Sequence, residues 1–251
     1  MSAPWSRLRE SATAAHVLPL AAFMLLNGLP GLFRIENPEL PWYQRAPEHW
    51  AYPLQTVLTG LLLLFFSRHY RLAPWRNLGL AGLLGAVGIA VWITPAWFYN
   101  YATAAGLALP SWLSWLGVVD RSQGFDPGVI QPWPVWQAAA VGMRFVRMVV
   151  VVPLVEEIFW RGFLMRYVQA GDAGWQQVPF GRHSGKAFWI VTLLVTVAHS
   201  EADWCGAFGW GSLMYLLAVK SRSLGACVFM HAVGNLLLGL YVMQTRQWGF
   251  W

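Results

Sequence analysis

Charge is what this chain of 251 residues has least of. Asp, Glu, Lys and Arg together make 11% of it, against roughly 25% in soluble domains. That scarcity excludes an ordinary water-soluble surface. Cysteine is limited to Cys205 and Cys227. Their spacing matches neither a zinc ligand set nor a redox pair, so both read as small core residues. No His-Glu-x-x-His zinc-protease signature occurs anywhere in the chain. Internal repeats and low-complexity tracts are missing too, which argues against the repeat-built plans common among transporters. The net charge of +6 comes from basic residues in short clusters between apolar runs. They read as topology signals, and nucleic acid is excluded as a partner.

Apolar residues fill the gap, at 57% of the chain, with a mean hydropathy of +0.45. Apolar runs cover about residues 16–33, 52–66, 78–98, 135–168, 187–198, 204–219 and 224–243. A further piece, residues 107–119, is broken by Pro110 and carries Trp112 and Trp115. It reads as interfacial or as dipping part-way. The fold expected is all-α: a polytopic membrane bundle of about seven to eight transmembrane helices forming one domain over 1–251. The seventeen tryptophans suit the headgroup zone.

Loop charges alternate in sign along the chain. Arg7 and Arg9 precede the first run, and Arg68, Arg71 and Arg76 follow the second. Arg166, Arg182 and Lys186 follow the fourth, and Lys220 and Arg222 the sixth. Acidic residues collect in the intervening loops. The pattern implies a cytoplasmic N-terminus. The first run continues without a small-residue cleavage site, so it reads as a retained span. The run at 135–168 is too long for one straight crossing, since ~34 residues reach ~50 Å against a ~30 Å hydrocarbon core. Pro153 is the expected break, and Arg144 and Arg147 are expected to snorkel at a boundary.

Six polar residues stand inside apolar runs of the second half: Glu156, Glu157, Arg161, His199, His231 and Asn235. A charge at the bilayer centre costs about 2.5–3.5 kcal/mol on insertion scales, so each such group calls for a partner or a job. Glu157 and Arg161 are spaced i, i+4, as are His231 and Asn235, and each pair shares a helix face. Glu156 points ~100° away from Glu157, so the two carboxylates do different work. One is neutralised by Arg161. The other, in a polar cavity, is competent as general base for a water. A histidine carries the proton, and a second histidine with an amide donates hydrogen bonds to a developing oxyanion. Peptide-bond hydrolysis by these parts needs no Ser or Cys nucleophile.

Three motifs carry a resemblance: Glu156-Glu157-Ile-Phe-Trp-Arg161, Val195-Thr-Val-Ala-His199 and His231-Ala-Val-Gly-Asn235. In this order and approximate spacing the chain resembles the CAAX-type intramembrane glutamic proteases, grouped with bacteriocin-processing enzymes, from Arg144 onward. The motif-bearing part is 144–243. The resemblance implies that Glu156 and His199 activate water, that His231 and Asn235 form the oxyanion site, and that Glu157 and Arg161 support them. Val195 departs from the family's usual Phe, which bears on substrate shape. The C-terminal segment, Leu-Leu-Gly-Leu-Tyr-Val-Met-Gln-Thr-Arg-Gln-Trp-Gly-Phe-Trp, is similar to a narrower bacterial branch that accompanies exosortase systems. That branch implies the bacterial inner membrane and a peptide or protein substrate with a membrane-proximal segment. It implies no cofactor.

Two other readings stay open on the residues alone. Glu156, His199 and His231 are a carboxylate–histidine set of the kind that holds zinc. Buried Glu, Arg and His also build proton relays in transporters, or a polar network in a non-enzymatic membrane scaffold. His16, Asn27, His49, His69 and His183 have no partner by spacing. Glu201 and Asp203 read as loop residues close enough to His199 to support it.

Overall fold

The computed structural model describes residues 4–37, 39–171 and 174–251, and among them there is no β-strand. Among the described residues, the longer helical stretches are α1 (Ala12–Asn27), α2 (Glu48–Phe65), α3 (Leu78–Ala104), α4 (Pro134–Ala170), α5 (Gly185–Val197), α6 (Trp204–Ser221) and α7 (Leu224–Thr245). Each coincides with one apolar run of the sequence. Among the described residues, four stretches are long and apolar enough to cross a membrane: Ala12–Phe33, α3, α4 and α7. α5 is apolar but short. In α2 and α6 the apolar run is diluted by Glu48, His49 and Gln55, and by Lys220 and several glycines.

Outward-facing residues on these stretches are large and apolar. Leu25 and Leu32 are each 79% exposed and Leu64 71%. Such residues on a water-facing surface would be a liability; against lipid they cost nothing. The chain is an all-α membrane helix bundle. Residues 107–119 add no further helix of spanning length. They hold a six-residue 3₁₀ turn, Ser111–Leu116, closed by Gly117 at φ +83°. Six residues at ~2 Å rise reach only ~12 Å, far short of a ~30 Å core.

The chain divides into two compact units: residues 1–71 with 125–159, and residues 72–124 with 160–251. In the first, α1 packs on α2, and α2 on the N-terminal part of α4. Pro19 lies inside α1 and cannot donate to the Ala15 carbonyl. The Tyr70 hydroxyl donates to that carbonyl instead, at 2.8 Å. Gln55, fully buried on α2, donates to the Phe23 carbonyl at 2.7 Å.

In the second unit, α3 packs along α7 and α6, and α6 packs on α5. Small residues let these helices approach. A Cβ on Gly85 would stand 2.8 Å from the Met230 carbonyl oxygen of α7. The core between them is made of Ile89, Val191, Trp210, Met214, Leu217 and Met230. Ser223 caps α7 by accepting from the Ala226 amide at 3.0 Å, and its hydroxyl donates to the Pro74 carbonyl.

Candidate active site

Pro153 does not break α4. The chain instead runs as a π-helix over Arg147–Val151, where the Val152 amide donates to the Arg147 carbonyl. The wider turn absorbs the register that the missing Pro153 N–H would disturb. A regular α-helical turn, Val152–Glu157, follows, and then a second π segment, Ile158–Leu164. The two glutamates therefore sit on the short α-turn between two π segments, a geometry often found at functional sites. Glu157 is fully buried, whereas Glu156 is half-buried. The different environments of the two carboxylates agree with the different faces they occupy.

Arg144 and Arg147 do not snorkel. Both are buried. Arg147 donates to Gln55 Oε1 at 2.8 Å and to Asn27 Oδ1 at 2.7 Å, and its guanidinium lies 4.6 Å from the Tyr52 ring centroid and 4.8 Å from that of Phe23. Arg144 stands over Tyr52 and Phe125 at 4.9 and 5.1 Å. Facing aromatic rings and neutral amides inside the unit replace the headgroup water that snorkelling would have reached. Arg147 also lies within electrostatic reach of Glu156. Asn27 and Gln55 thus belong to the polar cluster around Arg147 in the interior of the first unit. Spacing alone gave no signal for either, because their partner is about a hundred residues away.

The remaining four motif residues lie in the second unit. Arg161, in the second π segment, is 2% exposed. His199 lies just past the end of α5, in the turn before α6. Its Nδ1 sits 2.7 Å from the Val195 carbonyl oxygen, one of the unpaired carbonyls at the helix end. A carbonyl only accepts, so Nδ1 carries the proton and, in the neutral ring, Nε2 has the free lone pair. The residue that departs from the family pattern, Val195, thus contributes through its backbone.

His231 and Asn235 lie on α7, one turn apart on the same face; His231 is buried and Asn235 half-buried. Two tryptophans line the second unit beside the histidines. Trp92 of α3 meets His199 edge-on, with ring centroids 5.5 Å apart. Trp210 of α6 meets His231 in the same way at 5.7 Å. The two indoles contact each other at 6.4 Å. His199 and His231 therefore flank a continuous aromatic strut. Tryptophan abundance suggested headgroup anchors, but Trp210 is 5% exposed and serves the interior. Gly88 and Gly234 make room for it: a Cβ on either would come within 2.7 or 2.3 Å of its ring.

His16 and His183 also have partners: the Ala12 carbonyl at 2.8 Å and the Tyr215 hydroxyl at 3.1 Å. Among the described residues, no group of three or more His, Cys, Asp and Glu side chains is placed to hold a metal ion.

Residues 138–237 match the family model described as type II CAAX prenyl endopeptidase, Rce1-like. That span includes all six motif residues. No curated protein and no solved structure matches the chain.

Proposed function

We propose that this chain, whose residues 138–237 match the family model of Rce1-like type II CAAX prenyl endopeptidases, is a membrane protease that hydrolyses a peptide bond near the C-terminus of a membrane-associated protein by glutamate- and histidine-activated water. Glu156 takes a proton from the water as the oxygen attacks the scissile carbonyl carbon. His231 and Asn235 donate hydrogen bonds to the resulting oxyanion. Collapse of the tetrahedral intermediate breaks the C–N bond, and the proton passes through His199 to the leaving amine. Glu157 and Arg161 support the helix that presents Glu156.

The single observation that carries this reading is the state of His199. Its Nδ1 is committed to the Val195 carbonyl at 2.7 Å, which leaves Nε2 as the basic nitrogen a proton carrier needs. The scheme requires no metal. The similarity of the C-terminal segment supports the exosortase-accompanying branch, hence a bacterial inner-membrane enzyme. The alternation of loop charges supports a cytoplasmic N-terminus.

The test is cleavage of a fluorogenic farnesylated CAAX peptide by the purified protein in detergent. The wild type is expected to cleave it, and Glu156→Gln and His199→Ala to fall about 10²–10⁴-fold, the usual worth of a general acid–base group, with unchanged helicity. Wild-type turnover in either variant overturns the assignment. Loss of activity with 1,10-phenanthroline, restored by zinc, replaces it with a metal-dependent scheme.

A further inference from the structure

His199 has no helix of its own to hold it. α5 ends at Val197, and the imidazole is half-exposed in the turn that follows. Around it lies a set of polar contacts that the hydrolytic scheme leaves unused. Trp92 Nε1 donates to Asp203 Oδ1 at 3.1 Å. Arg121 donates to the same oxygen at 2.8 Å, to Asp203 Oδ2 at 3.4 Å and to the Ala202 carbonyl at 2.8 Å. The Ser200 hydroxyl donates to Asp203 Oδ2. Arg121 and Asp203 are 7% and 16% exposed at the side chain, and the Arg121 guanidinium lies 4.7 Å from the Phe250 ring centroid. Both carboxylate oxygens of Asp203 are therefore occupied by donors.

The indole it holds is confined on a second side. A Cβ on Gly206, in the first turn of α6, would stand 2.9 Å from the Trp92 ring. With its N–H tied down and its ring face against Gly206, the Trp92 indole is held on two sides where it meets His199. The backbone of His199 is tied separately, by Trp204 Nε1 donating to its carbonyl at 3.2 Å.

We propose that Arg121, Asp203 and Trp92 form a positioning relay that fixes the His199 imidazole: the arginine sets the carboxylate, the carboxylate sets the indole, and the indole sets the ring. The proposal rests on His199 being the proton carrier of the hydrolytic reading. It explains why an ion pair and a carboxylate-bound indole are maintained in so sparsely charged a chain. A misplacement of ~1 Å at a reacting group costs on the order of 10²-fold in rate, and the single Nδ1 bond to the Val195 carbonyl leaves the ring able to swing about that contact.

The experiment uses the full chain in detergent with ¹³C-histidine labelling, the His199 signal being assigned with His199→Gln. In Trp92→Phe and Asp203→Ala the His199 ring signal moves and broadens, because the ring current and the restraint are lost, while the His16 signal stays in place. Asp203→Asn keeps an oxygen for the indole and loses the charge that holds Arg121, so it falls between. On the farnesylated peptide, kcat of Asp203→Ala drops about 10–10²-fold with KM within about twofold. An unchanged His199 signal in Trp92→Phe and Asp203→Asn overturns the relay, whether or not the peptide is cleaved. A wild type that leaves the peptide intact counts against the protease reading alone, and the histidine signals then still decide the relay.

Discussion

Arg147 Nε donates to Gln55 Oε1 at 2.8 Å, across ninety-two residues of chain and inside the buried interior of the first unit. The bond ties α2 to the π segment just ahead of the glutamates. A buried hydrogen bond to a charged group is worth about 1.5–3 kcal/mol. Gln55→Leu is therefore expected to destabilise the protein by about 2 kcal/mol, read as a lower midpoint of SDS-induced unfolding in mixed micelles. Removing the arginine as well, in Gln55→Leu/Arg147→Leu, is expected to cost less than the sum of the single changes, because it removes the stranded charge along with its partner. Additive losses would show that the two side chains are energetically independent.

Tyr70 and Pro19 give a second coupled pair. The phenol fills the Ala15 carbonyl that Pro19 leaves open. Tyr70→Phe should cost about 1 kcal/mol in the wild type. In a Pro19→Ala background it should cost close to nothing, because the backbone N–H that this substitution restores takes the carbonyl. Burial also pushes the Tyr70 phenol above its ordinary value. The protonated form is the one that donates, so this contribution is complete below about pH 10, the ordinary phenol value, and is lost as the pH rises further. The alkaline limb of the stability profile should shift in Tyr70→Phe, and an identical limb in both proteins would count against the assignment.

The sequence showed the helices well and their interior poorly. Apolar runs mark elements because each crossing must satisfy its own backbone, and that is a local requirement. The motif residues were legible for a similar reason: a Glu, His or Arg in an apolar run is conspicuous wherever it points. Arg144 and Arg147 were conspicuous too, but their fate depends on Tyr52, Phe125 and Gln55, which are remote in sequence. Trp92 and Trp210 were hidden among many tryptophans, and their slots are made by glycines on other helices. Asp203 stood near His199 in the sequence, yet it acts by way of an indole 111 residues away.

Trp210 tests the close packing of the second unit. A Cβ on Gly234 would come within 2.3 Å of its ring, and the ring is itself against His231. Gly234→Ala should cost about 1–3 kcal/mol through overpacking and should lower kcat by displacing His231. Trp210→Phe in the Gly234→Ala background makes room for the methyl group and should recover part of the stability. Thermal unfolding in detergent reads the first effect and peptide turnover the second. A Gly234→Ala protein of full stability and activity would show that the indole is free to move aside.

The strongest check on the hydrolytic scheme is how its losses combine. If Glu156 and His199 handle the same proton, removing either already abolishes the transfer, and removing both adds little. The double variant Glu156→Gln/His199→Ala should therefore be no slower than the slower single variant, within about threefold, whereas independent contributions would multiply toward the square of a 10²–10⁴-fold effect. His231→Ala should behave otherwise. Its hydrogen bond to the oxyanion is a separate demand of the transition state, so a loss of about 10²–10³-fold is expected in the wild type, and a smaller further loss once the proton path is gone. Turnover of the farnesylated peptide by the wild type and each of these variants separates these cases. Multiplying losses for Glu156 and His199 would mean that the two residues serve different steps, and the shared-water scheme would have to be abandoned.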